Sequence, residues 1–123
     1  MLDNYRDAVK MEDEISFIGG STQTIVFNVL DRLGQPLDLT GCELKWTLSY
    51  MGQNANPIIV KDNKLKGGVT ITGVGEFMIT LNPQDTTILE TNKYEHEPII
   101  IQPNGRILRP SYGVLIIRKG ASY

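Results

Sequence analysis

The sequence has little of the material from which catalytic and metal sites are usually built. Its 123 residues include one cysteine, Cys42, and one histidine, His96. A lone cysteine excludes an intramolecular disulfide, and one residue of each type is too few for a structural zinc site. A nucleophile–histidine pair would have to be built around His96, and no local motif supports one. We predict that the chain is not an enzyme and holds no catalytic residue, no cofactor and no metal.

A net positive charge and long hydrophobic runs are also missing. The formal net charge is −2 at pH 7, whereas a protein that binds nucleic acid needs a concentrated basic surface. No stretch approaches the ~18 consecutive apolar residues of a membrane span, and the first residues are too polar for a signal peptide. We therefore predict no nucleic-acid partner, no membrane partner, and a soluble chain made in the cytoplasm of its producing cell.

The two ends of the chain differ in charge. The first 14 residues hold five acidic and two basic side chains, while the residues from Arg106 onward hold four basic and no acidic ones. We interpret residues 1–14 as an N-terminal arm and residues 15–123 as a single β-sandwich domain, since this length suits one domain. Chance is the simpler explanation of the asymmetry; the functional one is that one end docks on the other, within the chain or on another copy. The candidate assembly contacts are Tyr5, Arg6, Asp7, Glu12, Asp13, Arg106, Arg109 and Arg118.

Alternation of apolar and polar residues with a period of two predicts strands throughout the chain. The pattern is clearest over residues 42–50, where Cys42, Leu44, Trp46, Leu48 and Tyr50 share one face. We expect Trp46 to anchor the core from the middle of this strand, with Tyr50 buried beside it and Cys42 as a small buried hydrophobic residue. Further strands are predicted at residues 14–18, 22–30, 57–61, 69–72, 76–81, 93–102 and 106–118.

Turn-forming residues separate these strands. Asn82 and Pro83 predict the start of one short helical turn, and residues 51–57 predict a loop. The Asn104-Gly105 pair predicts a two-residue hairpin loop, which would set Ile99 opposite Pro110. Proline removes a hydrogen-bond donor of the sheet, so we expect Pro98 and Pro110 at an edge, a bulge or a break. About eight short strands and one helical turn are typical of an all-β, immunoglobulin-like antiparallel sandwich.

The remaining polar candidates lie on the strand predicted at residues 93–102. We interpret His96 as a satisfied or half-exposed strand histidine rather than a catalytic base. Glu95 and Glu97 point to the opposite face from His96. They could be imagined as the acid–base pair of a glycosidase, but we interpret them as solubilising charges.

The order of several motifs resembles the N-terminal domain of phage baseplate upper proteins and related tail proteins. The motifs are residues 34–41 (GQPLDLTG), 67–71 (GGVTI), 75–81 (GEFMITL) and the helical turn at residues 83–89, and the resemblance covers residues 15–118. It implies a structural protein of a phage virion, located in the virion, that assembles with other virion proteins and with copies of itself. The alternatives are a capsid decoration or head-fibre protein and a carbohydrate-binding module that contacts the host surface.

Overall fold

The computed structural model describes residues 8–10, 14–110 and 113–120, with side chains from residue 15 onward. Within these residues the chain forms ten strands and one short helix. The elements in chain order are β1 (Ala8–Lys10), β2 (Glu14–Ile18), β3 (Gln23–Leu30), β4 (Glu43–Tyr50), β5 (Ile59–Asp62), β6 (Val69–Gly73), β7 (Glu76–Leu81), α1 (Pro83–Thr86), β8 (Asn92–Ile101), β9 (Ile107–Leu108) and β10 (Gly113–Arg118).

The strands form two sheets that pack face to face. The smaller sheet has the order β1-β3-β7-β6, and the larger has the order β2-β10-β8-β4-β5, with β9 paired to β8. All the described pairs are antiparallel except β2 with β10, which is parallel. The prediction of an all-β sandwich is confirmed. None of the helical structure among the described residues has the length and hydrophobicity of a membrane span.

The core fills the space between the inner faces of the two sheets. Phe27 of β3 stacks on Phe77 of β7 with ring centroids 5.0 Å apart, and Trp46 of β4 faces them from the larger sheet with none of its surface exposed. Full burial of one large apolar side chain contributes roughly 1.5–3 kcal/mol. The alternating pattern therefore locates the inner face of these strands correctly, because one face of each strand lies against the opposite sheet.

The prediction that Tyr50 belongs to the core is wrong. Its side chain is 46% exposed, while its neighbour Ser49 is only 1% exposed. The alternation fails here because β4 ends at Tyr50 and the loop of residues 51–58 turns back over the outer face, above Ser49. Tyr50 keeps a ring contact with Tyr94 of β8, with centroids 5.6 Å apart.

The hairpin after β8 has a longer loop than predicted. Ile100 lies opposite Leu108, one residue away from the pairing of Ile99 with Pro110 that a two-residue loop would give. The loop holds three residues, 103–105, and is closed by a hydrogen bond of 2.8 Å from the backbone N–H of Gln102 to the carbonyl of Arg106. Positive φ occurs here only at Gly105, as in a type I turn followed by a left-handed residue, whereas a type I′ turn needs two such residues.

The strand predicted at residues 106–118 is divided into β9 and β10, and Pro110 lies between them, as expected of a residue that breaks a ladder. Pro98 remains inside β8, between the part that pairs with β10 and the part that pairs with β9. Both prolines therefore lie where the partner of β8 changes from β10 to β9.

Part of the predicted N-terminal arm belongs to the sandwich. Ala8–Lys10 pairs antiparallel with β3 as an edge strand, and Glu14 begins β2. The rest of the predicted arm, residues 1–7 and 11–13, lies outside the described residues. The candidate contacts Tyr5, Arg6, Asp7, Glu12 and Asp13 fall in those two segments.

Candidate functional site

A polar cleft opens on the outer face of the larger sheet, where β4 and β8 pair. The antiparallel register sets Thr47 opposite Glu97 and Ser49 opposite Glu95. Because side chains alternate along a strand, these four side chains all lie on the outer face. The cleft has a volume of about 210 Å³ and is lined by Thr47, Ser49, Asn54, Glu95 and Glu97, with His96 between the two glutamates.

The loop of residues 51–58 forms one wall of the cleft. The backbone N–H of Gly52 donates a hydrogen bond of 2.7 Å to Oε1 of Glu95, which ties the loop to the floor. The loop is closed at its far end by the N–H of Ile58, which donates to the carbonyl of Leu48 at 2.7 Å. This wall covers Ser49, so that a residue on the outer face of a sheet is only 1% exposed.

Ser49 is only 1% exposed as a whole residue, and it lines the cleft. The buried side-chain atoms without a hydrogen-bond partner among the described residues are Nε2 of His96 and Oε1 of Gln102, and the Ser49 oxygen is not one of them. A hydroxyl in the lining can donate one hydrogen bond and accept others.

The two carboxylates are each half-engaged by the protein. Oε1 of Glu97 accepts a hydrogen bond of 3.3 Å from Nη1 of Arg109, whose side chain is 59% exposed at the rim. Oε1 of Glu95 accepts from Gly52. The second oxygen of each carboxylate accepts no hydrogen bond from the described part of the chain. The cleft thus holds two carboxylates beside the Thr47 and Ser49 hydroxyls and the Asn54 amide, which can both donate and accept.

His96 lies on the opposite face of β8, sealed in the core and 1% exposed. Nε1 of Trp46 donates a hydrogen bond of 3.0 Å to Nδ1 of His96, so the proton of the neutral ring is assigned to Nε2. Nε2 has no partner among the described residues. Burial lowers the pKa of His96 to about 4. The ring is neutral near pH 7 and points into the core, away from the cleft. The expectation of a satisfied histidine therefore holds for Nδ1 but not for Nε2.

The other residues singled out in the sequence are separate from the cleft. Cys42 is 4% exposed, and burial, helped by the nearby Asp38 carboxylate, raises the pKa of its thiol. Arg106 lies in the hairpin after β8 and Arg118 at the end of β10, both exposed. Of the three candidate arginines that lie within the described residues, Arg109 is the one that contacts a cleft residue.

The sequence predicts which side chains share a face at this site, but not which strands lie side by side. Alternation places Glu95 and Glu97 together on the outer face, and the interpretation of them as solubilising charges did not include the cleft that they line. The register of β4 against β8 joins residues about fifty positions apart and cannot be derived from local patterns. Groups of three or more His, Cys, Asp or Glu side chains placed to hold a metal ion do not occur among the described residues.

No protein-family model matches the sequence, and neither does any curated protein. Among solved structures, the fold is similar to that of CopC from Methylosinus trichosporium OB3b. The TM-score is 0.53 at 7% sequence identity, over 96% of this chain and 99% of that protein. At this identity the likeness establishes the fold alone, and it confirms the immunoglobulin-like type of sandwich.

The comparison corrects the predicted function. The chain was expected to be a structural protein of a phage virion, in the tail, the baseplate or the capsid, whereas CopC, a solved structure with a similar fold, points away from that role. The carbohydrate-binding alternative needs exposed aromatic side chains: Trp46 is wholly buried, as expected, whereas Tyr50 is 46% exposed. The resemblance to the baseplate family, the lack of enzymatic activity and assembly with further copies are tested by no observation and stay predictions.

Proposed function

We propose that the protein is a non-enzymatic binding module that takes one polar group of a partner in the cleft between β4 and β8. The observation that carries the proposal is the convergence of five polar side chains on one cleft, those of Thr47, Ser49, Asn54, Glu95 and Glu97. Convergent polar groups in a concave site are what a binding site needs in order to orient a ligand.

Binding is favoured over catalysis by the position of the one histidine. A surface general base must reach the proton that it removes, within roughly 3 Å. His96 is 1% exposed, and its Nδ1 is held by Trp46 at 3.0 Å. The glutamates are likewise engaged, since one oxygen of each accepts a hydrogen bond from the protein itself. Their remaining oxygens suit the recognition of a donor.

The volume of the cleft limits the size of the group that it can bind. A volume of about 210 Å³ is below the roughly 300–1,000 Å³ of sites for drug-sized molecules. The cleft therefore suits a single functional group, such as one side-chain head group of a partner, with the rest of the ligand lying on the surface around it.

The experiment is a titration of ¹⁵N-labelled full chain with a panel of small probes: acetate, glycerol, ethylammonium and methylguanidinium. Saturable shifts of the amide signals of Thr47, Ser49 and Gly52 are expected with at least one probe. A Thr47→Phe variant, which fills the cleft from an outward position of β4, should abolish them. The matched control is Thr24→Phe, at an exposed position of β3, which should leave them unchanged. If no probe shifts these signals, or if Thr47→Phe shifts as the wild type does, the proposed function is wrong.

A further inference from the structure

We propose that the cleft recognises the guanidinium group of an arginine side chain presented by a partner protein. This inference rests on the proposed binding function and adds to it the chemical class of the ligand. It depends on the free atoms of the cleft, on its local charge and on its access from solvent.

The free atoms of the two cleft glutamates are hydrogen-bond acceptors. An ionised carboxylate only accepts, and the free oxygens of Glu95 and Glu97 belong to residues two positions apart on one strand, roughly 7 Å between their Cα atoms. The hydroxyls of Thr47 and Ser49 on the neighbouring strand can also accept. A guanidinium presents five N–H donors in a planar fork, whereas an ammonium presents three from a single point. The spread of acceptors over two strands therefore matches the fork better.

The charge of the cleft suits a monovalent cation. Glu95 and Glu97 contribute two negative charges, and Arg109 at the rim offsets one of them through its contact with Glu97. The charged side chains of the lining itself are these two carboxylates, and a cationic ligand complements them. A calcium ion takes six to eight oxygen ligands, and no group of three or more acidic, histidine or cysteine side chains suited to a metal occurs in the described part of the chain.

A guanidinium already reaches one of the cleft carboxylates from the solvent side. Nη1 of Arg109 lies 3.3 Å from Oε1 of Glu97 while 59% of its side chain stays exposed. Arg109 is not among the residues that line the cleft, so it occupies the rim and leaves the interior open. The second oxygen of Glu97, the free oxygen of Glu95 and the Ser49 hydroxyl remain for an arginine that enters from a partner.

The test is a titration of the ¹⁵N-labelled full chain with the peptide acetyl-Gly-Arg-Gly-amide. The control peptide carries citrulline, which keeps the shape of arginine and lacks its charge; a third carries lysine. We expect saturable shifts at Thr47, Ser49, Gly52 and Glu95, with binding at least about tenfold weaker for the citrulline peptide, since hydrogen bonds to charged groups contribute most. The lysine peptide should bind more weakly than the arginine peptide.

Variants that remove one negative charge distinguish recognition in the cleft from nonspecific electrostatic attraction. Glu95→Gln and Glu97→Gln should each weaken binding of the arginine peptide by roughly tenfold. The matched control is Glu43→Gln, which removes the same charge from the same face of β4 outside the cleft lining and should leave the affinity unchanged. The dispersion of the amide spectrum reports whether each variant is folded.

The failure of the guanidinium assignment can be distinguished from the failure of the proposed binding function. Equal binding of the citrulline peptide, equal binding of the lysine peptide, an equal loss in Glu43→Gln or no saturable shift with the arginine peptide would each overturn the guanidinium assignment. In any of these cases, shifts of the cleft amides by another probe that Thr47→Phe abolishes would leave the binding function standing. If no probe acts, both proposals fail together.

Discussion

Acid should destabilise this protein through one buried residue, His96. In the folded chain the ring lies between aromatic neighbours, with the centroids of Phe27 and Trp46 both 5.9 Å away. Its Nδ1 accepts the indole N–H of Trp46. A proton added to the ring would turn Nδ1 into a donor facing another donor, in a site without water contact. Folding therefore favours the neutral ring, and lowering the pH favours the unfolded chain.

The magnitude follows from the two pKa values. The unfolded chain has the ordinary histidine value of 6.5, and burial lowers the folded value to about 4. The free energy of unfolding is therefore fully retained above pH 6.5 and falls by about 1.4 kcal/mol per pH unit between pH 6.5 and 4. The total loss that His96 contributes is about 3 kcal/mol, a large part of the roughly 5–15 kcal/mol of a typical domain.

The assay is urea unfolding at a series of pH values from 7.5 to 4. Trp46 is the one tryptophan of the chain and is wholly buried, so its fluorescence reports unfolding of the core. The matched variant is His96→Gln, whose amide oxygen can still accept from Trp46 but does not titrate. The difference between the two pH profiles isolates His96 from the carboxylates. The pKa values of Asp38 and Asp62 lie below the ordinary 3.8. Their contributions to the free energy of unfolding are therefore lost only at lower pH, as the pH falls through those lowered values.

Two results would refute the reasoning. One is a pair of parallel profiles for the wild type and His96→Gln between pH 6.5 and 4. The other comes from proton NMR of the folded chain, where the ring signals belong to a single histidine: a midpoint near 6.5 instead of about 4 would show that the ring is not buried as described.

Three further substitutions test the packing. Trp46→Ala should lower the free energy of unfolding by roughly 3–5 kcal/mol in urea titrations, as a large truncation in the core; a near-neutral result would show that its face is inverted. Asp62→Ala should lower the melting temperature by roughly 5–10 °C in calorimetry, because Oδ1 of Asp62 accepts from the N–H groups of residues 64–66 at 2.8–3.0 Å; Asp62→Asn keeps the acceptor and should be milder. Gly75→Ala should cost about 3 kcal/mol and Gly34→Ala about 1 kcal/mol by urea titration: both have positive φ, but a Cβ at Gly75 would lie 2.8 Å from a β3 carbonyl, whereas Gly34 has open space. Equal costs would contradict that close approach.

The sequence predicts the inner faces of the strands well because burial on one side of a sheet forces a period of two. This is why Trp46 and its alternate neighbours in residues 42–48 lie in the core. The prediction fails at Tyr50, where the chain leaves the sheet. There the burial of Ser49 depends on how the following loop folds, and alternation carries no information about that.

Local sequence patterns do not predict which strands, distant in the chain, pair with each other. The parallel pairing of β2 with β10 joins Ile15 to Leu115, and the hairpin register depended on whether Asn104 or only Gly105 takes positive φ. The cleft depends on both the strand register and the hairpin, because the pairing of β4 with β8 sets its floor and Arg109, which directly follows β9, lies at its rim. The two glutamates were visible in the sequence, but the site that they share with Ser49 was not.

β8 shows why stability and binding can change independently in this fold. His96 and its neighbour Glu95 are adjacent in sequence, yet the period of two sends one side chain into the dry core and the other into the cleft. His96 is held by Trp46 inside the sandwich, and Glu95 is held by Gly52 of the loop outside it. A change at His96 therefore acts first on the folding equilibrium, and a change at Glu95 acts first on the acceptors offered to a ligand. An outer face built in this way can acquire a specific partner without any change in the core that supports it.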